Sequence, residues 1–597
     1  MSQTSLPRPR PIGPKWVREN YTKREVMIPM RDHVKLYAAI YSPKDAAPHP
    51  VIMVRSPYNF SPYGKGFSRS LHTQHYMFLQ GRYHIVYTNV RGTVLSEGQF
   101  ENVRPVRTDG GVDELTDTFD TIEWLLSNLR TNGSVGIKGI SYQGFYATLA
   151  SLCGHPALKA VSPQAPVTDW FLGDDSHMSG AFQLPMFSFA SSFMRPRLRP
   201  AIRYSKPLVA PDKDIYDWYL EREPLGELLS LLKGRIPFVT EMVQHPTYDS
   251  FWKERNASHH LESTPSTPML CVGGWYDGED CYGSLDTFRK KEGSPYSGDN
   301  FLCMGPWYHG GWKNTSYDRL GEVVFGKGSA KYFLEEVEYP FFSHYLEGKG
   351  EKPSYKAVVL PSGETDEKKR QSDSIPPSQW QYLSSWPPEG ARRKVLYLSS
   401  QELLTGEPSL GPDEVVSQFI SDPLHPVPYC SETTLRVSRD AQVGNQRFAA
   451  RRTDVLTFTS PVLQEEFRAL GSVVAHIRVA VSTSDADIVV KLIDVRPDGF
   501  CMLVRYGVLP LRFRESFERS VPALPGEIYD IDVPLCDIGH TFLPNHRIMV
   551  QVQGSLYPSL AMNPQRWLEN PYEALSSDYV RSTVSLYGGS YIGIDTL

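Results

Sequence analysis

A serine stands between a short apolar strand pattern and a helix-forming segment, in the hexapeptide Gly-Ile-Ser-Tyr-Gln-Gly at 139–144. Glycines two residues before and three residues after Ser141 permit a tight turn there. The pattern predicts a strand–turn–helix unit that lifts Ser141 above a sheet edge as a nucleophile, beside the positive end of the helix. The alternative is a buried serine in a glycine-rich turn. The glycine common at the second position after the serine is Gln143 here.

Apolar strand patterns surround this turn. They stand at 26–30, 34–41, 51–54, 84–87 and 134–140, and return at 268–272 and 301–304, while 116–129 has helical spacing. Buried strands that alternate with helices indicate a doubly wound, mostly parallel α/β sheet. We therefore predict one sheet domain built from residues 23–175 and 250–355.

Two further segments differ in character. Residues 176–249 contain helical spacing at 215–232 and many prolines, which indicates a helical cap inserted over the site. Residues 356–597 contain many short strand patterns, among them 455–458, 476–481, 488–495, 529–533 and 548–552, and little helix. This second pattern predicts an all-β jelly-roll domain.

Composition excludes several functions. The chain of 597 residues has a formal net charge of −5, which does not favour nucleic acid or an anionic membrane as a partner. No run of about 18 apolar residues and no signal peptide is visible, so the default location is the cytoplasm. The seven cysteines lack zinc-type spacing. We predict neither a metal nor a cofactor.

Two loops after predicted strands can complete a catalytic triad. Asp277 ends Gly-Gly-Trp-Tyr-Asp after one strand, and His309 ends Gly-Pro-Trp-Tyr-His after the next. The order serine, aspartate, histidine is that of α/β hydrolases, whose sites lie at the carboxyl edge of the sheet. We interpret Ser141 as nucleophile, His309 as base and Asp277 as the residue that orients the imidazole. A turn-forming aspartate and a loop histidine are the alternatives.

These motifs, together with Arg55-Ser-Pro-Tyr58 and the loop from Arg91 to Gly98, resemble the cocaine esterase and X-prolyl dipeptidyl peptidase group of serine hydrolases. The resemblance covers nearly the whole chain. It implies an α/β-hydrolase sheet with a cap and a C-terminal jelly roll. It also implies an oxyanion hole formed by the Tyr58 hydroxyl and the backbone N–H of Tyr142. A packing role is the alternative for Tyr58.

Acidic residues cluster around the candidate triad. Glu279 and Asp280 follow Asp277 closely, and Asp174 and Asp175 stand further upstream. Adjacent carboxylates raise one another's pKa values unless a cation neutralises them. The arrangement resembles that of α-amino acid ester hydrolases, which implies that Asp175, Glu279 and Asp280 bind the α-ammonium group of a small-molecule acyl substrate. A solvated acidic loop is the alternative.

The resemblance implies hydrolysis or transfer of α-amino acyl groups from amino acid esters and β-lactams. A general carboxylesterase and an X-prolyl dipeptidyl peptidase are alternatives, and an inert hydrolase scaffold with a binding jelly roll is a third. Residues 1–22, rich in proline and arginine, are predicted to be an extended arm that packs its Trp16 and Tyr21 on a neighbouring subunit. By resemblance the oligomer is a tetramer. One departure from the family is His33, where glycine is usual.

Overall fold

The computed structural model describes residues 12–68, 70–107, 110–197, 199–203, 206–208, 210–363, 374–408 and 410–597. The first half of a large sheet is complete by residue 166. Its elements are α1 (Pro14–Asn20), β1 (Tyr21–Pro29), β2 (Lys35–Pro43), β3 (His49–Ser56), α2 (Leu71–Gln74), α3 (Tyr76–Gln80), β4 (His84–Asn89), α4 (Glu114–Asn128), β5 (Thr131–Ser141), α5 (Tyr142–Ala150) and β6 (Leu158–Pro166).

A mostly helical insertion follows. It contains β7 (His177–Met178), β8 (Ala181–Phe182), α6 (Pro185–Ser192), α7 (Ile215–Leu220), α8 (Leu225–Ser230), α9 (Pro237–Met242) and α10 (Ser250–Arg255). The helical spacing at 215–232 is split between α7 and α8, because Pro224 between them has no N–H to donate to a continuous helix. A 3-10 turn at His259–Glu262 continues the insertion, so helices extend beyond the predicted limit at 249.

The second half of the sheet contains β9 (Met269–Gly274), α11 (Cys281–Glu292), β10 (Asn300–Gly305), β11 (Arg319–Leu320), β12 (Val323–Val324), α12 (Ser329–Tyr332), α13 (Tyr339–Glu347), β13 (Ala357–Val359) and β14 (Gln381–Leu383). The ten strands of the sheet are ordered β1-β2-β4-β3-β5-β6-β9-β10-β13-β14. From β4 to β13 the neighbours are parallel. The predicted boundary at 355 is too early, because β13 pairs with β10 and β14 pairs with β13.

The C-terminal domain is mostly β. Its strands are β15 (Arg392–Ser399), β16 (Glu402–Leu404), β17 (Val415–Ser421), β18 (Val455–Thr459), β19 (Phe467–Val481), β20 (Asp487–Val495), β21 (Cys501–Pro510), β22 (Tyr529–Phe542), β23 (Arg547–Gln553), β24 (Ser582–Tyr587) and β25 (Tyr591–Thr596). They form one eleven-stranded sheet in which β22 pairs with β19. The predicted fold class, an α/β-hydrolase sheet with a cap and a C-terminal jelly roll, is confirmed.

Residues 12–22 do not form an extended arm. Residues 14–20 are the helix α1, and Tyr21 is buried with its hydroxyl 2.9 Å from the carbonyl oxygen of Leu79. The guanidinium of Arg82 lies 5.5 Å from the centre of the Trp16 ring. These aromatic residues therefore pack on their own chain. Residues 1–11 lie outside the described residues, and association with a neighbouring subunit stays a prediction.

The turn between β1 and β2 keeps a left-handed backbone although its residue is His33, with φ 70°. The neighbouring Asp32 accepts two hydrogen bonds from the Arg91 guanidinium, at 2.7 and 3.0 Å. Arg91 also binds Asp117 of α4, so this motif arginine ties the hairpin to a helix. None of the helices in the described ranges is both long enough and apolar enough to cross a membrane.

Candidate active site

The turn from β5 into α5 holds Ser141 in a strained conformation. Its φ and ψ angles are 67° and −130°, a region that L-residues rarely adopt. A Cβ atom on Gly139 would lie 2.4 Å from the carbonyl oxygen of Gln143, and one on Gly144 would lie 2.7 Å from the carbonyl oxygen of Gln164. Both glycines are therefore required for the turn. Ser141 is partly exposed at the top of the sheet.

Gln143, which replaces the glycine common in such turns, has a contact of its own. Its side-chain amide donates a hydrogen bond of 3.0 Å to the Ser56 hydroxyl oxygen. The same oxygen accepts the backbone N–H of Tyr58 at 2.9 Å. Gln143 thereby links the turn to the loop that carries Tyr58. The sequence shows the departure at this position but not this link, because the two loops meet only in the folded sheet.

Tyr58 lies beside the candidate nucleophile. Its hydroxyl is hydrogen-bonded to Ser141, and its ring packs 5.2 Å from the ring of Phe193. Burial, with the nearby charge of Asp175, raises the pKa of Tyr58 well above its ordinary value. The hydroxyl therefore keeps its proton and can act as a donor. This position is consistent with the predicted oxyanion hole.

Tyr142 begins α5 directly after Ser141. The first N–H groups of a helix have no acceptor within the helix, so the Tyr142 amide can donate to a group near Ser141. Its side chain has a different role. The hydroxyl is buried and donates to the Asn102 side-chain oxygen at 2.9 Å, while it accepts the Val103 N–H at 2.5 Å.

Asp277 and His309 meet above the carboxyl ends of β9 and β10. One Asp277 oxygen lies 2.9 Å from Nδ1 of His309. The other accepts the backbone N–H groups of Glu279 and Asp280, at 2.9 and 3.0 Å. The carboxylate is thus fully oriented, and Nε2 of His309 is left for another partner. This is the arrangement expected of a base and the residue that orients it.

The pKa values of this pair move in opposite directions. Burial would raise the pKa of Asp277, but the charge and hydrogen bond of His309 outweigh it and hold that pKa below its ordinary value. Burial would lower the pKa of His309, but the charges of Asp277 and Glu279 raise it to about 10. Neutral His309, the form that accepts a proton, is therefore disfavoured while these carboxylates stay ionised and unneutralised.

The predicted acidic cluster surrounds His309. A Glu279 oxygen lies 3.6 Å from Nε2 of His309, and an Asp280 oxygen lies 3.7 Å from Nδ1. Burial and the Glu279 charge raise the pKa of Asp175 to about 7. Burial and the Asp175 charge raise that of Asp280 well above its usual value. Asp175, Glu279 and Asp280 are therefore close enough to repel one another.

Two aspartates of this region are buried and do not line the cavity described below. Asp280 is fully buried, and among the described residues neither of its oxygens has a hydrogen-bond partner. Asp174 is also fully buried, but its carboxylate accepts from the backbone of Thr168, Asp169 and Gly283 at 2.8 to 3.0 Å. Asp174 therefore ties a loop to α11 and is not a member of the cluster.

A cavity of about 770 Å³ joins these groups. Tyr58, Ser141, Asp175, Glu279 and His309 line it. The cap adds Met186 and Phe189, and the C-terminal domain adds residues that sequence reasoning missed, Tyr429, Val437, Ser438, Arg439 and Gln442. No local motif marks these side chains, because they reach the site only when the two domains pack together.

The cluster can also be considered as a cation site. In the described part of the chain, ligand atoms of Glu279, Asp280 and His309 come within 4.8 Å of one another. The negative charge of the two carboxylates attracts a small cation of either kind, a metal ion or an ammonium group. His309 is already held by Asp277 through Nδ1, so only its Nε2 remains for such a cation.

Comparisons with known proteins identify the family of the chain. A family model described as X-Pro dipeptidyl-peptidase (S15 family) matches residues 32–311, and a model of the C-terminal non-catalytic domain of the same enzymes matches 350–571. An aminopeptidase from a marine sediment archaeon of the Thaumarchaeota has a similar structure, with 31% identity and a TM-score of 0.89 over 100% of this chain and 99% of that one. The chain belongs to the S15 family. It is a serine hydrolase of the esterase and peptidase type.

Two other similar proteins have names that describe ester hydrolysis. An α-amino acid ester hydrolase has a similar structure, with 31% identity, a TM-score of 0.89 and full coverage of both chains. A cocaine esterase from Rhodococcus sp. (strain MB1 Bresler) is 29% identical over 562 residues, which cover 90% of this chain and 91% of that protein. The likeness therefore extends through the cap and the C-terminal domain.

Proposed function

We propose that this S15 hydrolase cleaves or transfers α-amino acyl groups, from amino acid esters and from β-lactams with an α-amino side chain. The proposal depends on one observation above all: Asp280 is a fully buried carboxylate without a hydrogen-bond partner among the described residues, close to Glu279 and Asp175. A buried carboxylate without a hydrogen bond is costly unless a cation neutralises it. An α-ammonium group bound in the cavity between Asp175 and Glu279 would supply a positive charge beside Asp280.

In the proposed mechanism, neutral His309 takes the Ser141 proton at Nε2 and the serine oxygen attacks the acyl carbon. Asp277 orients the imidazole through Nδ1 and stabilises the imidazolium that forms. The Tyr58 hydroxyl and the Tyr142 N–H donate to the oxyanion. His309 then protonates the leaving group, and water or a second nucleophile releases the acyl group from Ser141.

The ammonium group would also help the base. The charges of Asp277 and Glu279 raise the pKa of His309 to about 10, which disfavours its neutral form. A substrate ammonium between Asp175 and Glu279 opposes these charges, so the His309 pKa falls and a larger fraction of His309 is neutral. Recognition of the α-amino group and activation of Ser141 are therefore coupled.

The test compares two matched esters that differ only in the α-amino group. In wild type we expect higher kcat/KM for the amino ester. Glu279→Gln keeps the shape and removes a charge whose side chain is 57% exposed. Removing this charge should raise the activation free energy for the amino ester by about 1 kcal/mol, which is roughly a fivefold loss in kcat/KM. The effect is small because solvent screens an exposed charge. The ester without the amino group should lose little or gain.

Glu322→Gln is the matched control, because Glu322 is an exposed carboxylate that does not line the cavity. It should leave the ratio of the two esters unchanged. Equal losses on both esters in Glu279→Gln would mean that the cluster is structural. The chain would then be a general carboxylesterase, or an X-prolyl dipeptidyl peptidase if proline dipeptide esters are preferred.

A second candidate function is removal of N-terminal residues from peptides. The likeness to an aminopeptidase at 31% identity favours it, since the same ammonium site would bind a peptide N-terminus. An amide and an ester of the same amino acid distinguish the two functions. Turnover of the ester alone would exclude the aminopeptidase.

A further inference from the structure

Two cysteine thiols face each other where the hydrolase domain meets the C-terminal domain. Cys281 is the first residue of α11, and Cys536 lies in β22. The two thiols interact with each other, and neither is in a disulfide. No step proposed for Ser141 uses them. They are nevertheless close to the site, because Asp280 directly precedes Cys281.

The backbone around Cys536 is irregular. Its φ angle is 66°, in the left-handed region, and the pairing of β22 with β19 shifts register beside it, between Ser472 and Val474. The Arg505 guanidinium interacts with both thiols and donates to the Leu535 carbonyl oxygen at 3.1 Å. A bulge and a buried cation thus hold Cys536 against Cys281. Bulges of this kind commonly aim a particular side chain.

Small molecules can reach the pair. A second cavity, of about 260 Å³, is lined by Cys281, Cys536, Arg289 and Arg505. Its wall includes Glu279, which also lines the larger cavity. Cys536 is only partly buried, in contrast to Cys271 and Cys303, which are fully buried. Among these thiols Cys536 has the surroundings of a reactive one.

We propose that Cys281 and Cys536 are a redox-active pair, which hydrogen peroxide oxidises to a disulfide that joins the two domains and slows hydrolysis. The Cys536 thiolate attacks peroxide, the O–O bond breaks, and a sulfenic acid and hydroxide form. Cys281 then attacks that sulfur and displaces the hydroxyl as water. Two thiols and one peroxide yield one disulfide and two waters, with two electrons passing from sulfur to oxygen.

The electrostatics favour Cys536 as the attacking thiol. The hydrogen bond from Cys281 lowers the pKa of Cys536 to about 6 against the effect of burial, and the Arg505 charge acts in the same direction. The thiolate is the nucleophile in such reactions, and a pKa below ambient pH keeps it populated. Cys281 is the resolving thiol.

The disulfide would disturb the candidate triad. A disulfide has an S–S distance of about 2.05 Å, so bond formation draws the start of α11 toward β22. The amides of Glu279 and Asp280, directly before Cys281, hold one Asp277 oxygen. The loop is also closely packed, since a Cβ atom on Gly278 would lie only 2.1 Å from the Gln442 side-chain nitrogen. Strain at Cys281 is thus transmitted to Asp277.

The test uses the full-length reduced protein and any ester that it hydrolyses, with or without an α-amino group. Treatment with hydrogen peroxide should remove two thiols, yield one Cys281–Cys536 linked peptide in mass spectrometry, and lower kcat roughly tenfold or more, because small misplacements of catalytic groups are costly. Dithiothreitol should restore both. Cys281→Ser should instead accumulate a sulfenic acid at Cys536 that dimedone labels.

Cys430→Ser is the matched control, since Cys430 is a partly exposed thiol elsewhere in the C-terminal domain, and it should keep the full response. Two results would overturn the proposal. One is the absence of the linked peptide in oxidised wild type, a measurement that needs no variant to fold. The other is formation of the linked peptide with unchanged kcat, which would show that the disulfide does not disturb Asp277. Neither result depends on α-amino preference.

Discussion

The Tyr58 hydroxyl is the one side-chain donor proposed for the oxyanion, so it permits a sharp test at the scale of a single residue. It contacts Ser141 and keeps its proton because burial raises its pKa. A donor that acts on a developing negative charge changes kcat and not substrate binding. Tyr58→Phe should therefore lower kcat by about 10²–10³ with little change in KM.

Steady-state kinetics on one good ester measure this effect. Tyr308→Phe serves as control, because Tyr308 lines the same cavity but its ring is covered by the Arg439 guanidinium at 4.2 Å. That variant should stay within about twofold of wild type. An unchanged kcat in Tyr58→Phe would mean that the ring only packs against Phe193.

The pH dependence of the reaction is set by His309 and its carboxylates. Negative charges stabilise the imidazolium, and Asp277 and Glu279 raise the His309 pKa to about 10. Removing one of these charges must lower that pKa, so neutral His309 persists to lower pH. For an ester without an α-amino group, Glu279→Gln should move the acid limb of kcat/KM to lower pH.

The kcat/KM profile reports groups of the free enzyme, which makes it the correct measurement here. The variant should gain activity near neutral pH relative to alkaline pH, compared with wild type. Glu322→Gln should reproduce the wild-type profile, because its carboxylate lies outside the cavity lining. A shift to higher pH in Glu279→Gln would contradict the assignment of His309 as the base.

At the scale of elements, the turn between β5 and α5 stores strain at Ser141, with φ 67° and ψ −130°. Glycine adopts positive φ freely, whereas alanine does not. Both Ser141→Ala and Ser141→Gly should be inactive. Ser141→Gly should be the more stable by roughly 1 kcal/mol, since relief of strain exceeds the entropy that glycine loses on folding.

Urea unfolding of the two inactive variants measures the difference, and wild type is the reference for strain. If the alanine variant were as stable as the glycine variant, the conformation at Ser141 would not be strained. Substantial turnover by either variant on a good ester would mean that another residue is the nucleophile.

Local sequence predicted the elements that carry the candidate triad, because each of its loops follows a buried strand and is marked by glycines. It missed β6, whose Pro163 and Pro166 weaken the strand signal. The helical spacing at 215–232 also gave no sign of the break between α7 and α8. These short helices depend on tertiary contacts, such as the hydrogen bond of 2.8 Å from the Tyr216 hydroxyl to the Pro426 carbonyl oxygen of the C-terminal domain.

The residues of the candidate triad could be named from the sequence as readily as the elements that carry them. The sequence placed Ser141, Asp277 and His309 in one order, and the structure brings Asp277 and His309 into contact. The hydrogen bonding that holds Asp174 apart from the cluster was not predictable. It depends on the backbone amides that reach Asp174, and these come from two distant segments of the chain.

At the scale of the whole molecule, the two domains share a buried polar chain. His540 of β22 lies 3.1 Å from an Asp494 oxygen of β20 through Nε2 and 2.8 Å from the Ser362 hydroxyl through Nδ1. The Ser362 hydroxyl lies 2.6 Å from that of Tyr276, which directly precedes Asp277. A hydrophobic core continues across the same boundary. We therefore expect both domains to unfold together.

In urea, loss of esterase activity and loss of native tryptophan fluorescence should coincide in wild type. His540→Ala removes the partner of two buried polar groups and should lower the free energy of unfolding by about 3 kcal/mol, with both signals shifted alike. His476→Ala is the matched control, because His476 pairs with the exposed Asp532, and it should cost about 0.5 kcal/mol or less. Separate transitions for activity and fluorescence would mean that the C-terminal domain is an independent folding unit, and that its contribution to the cavity is only a surface contact.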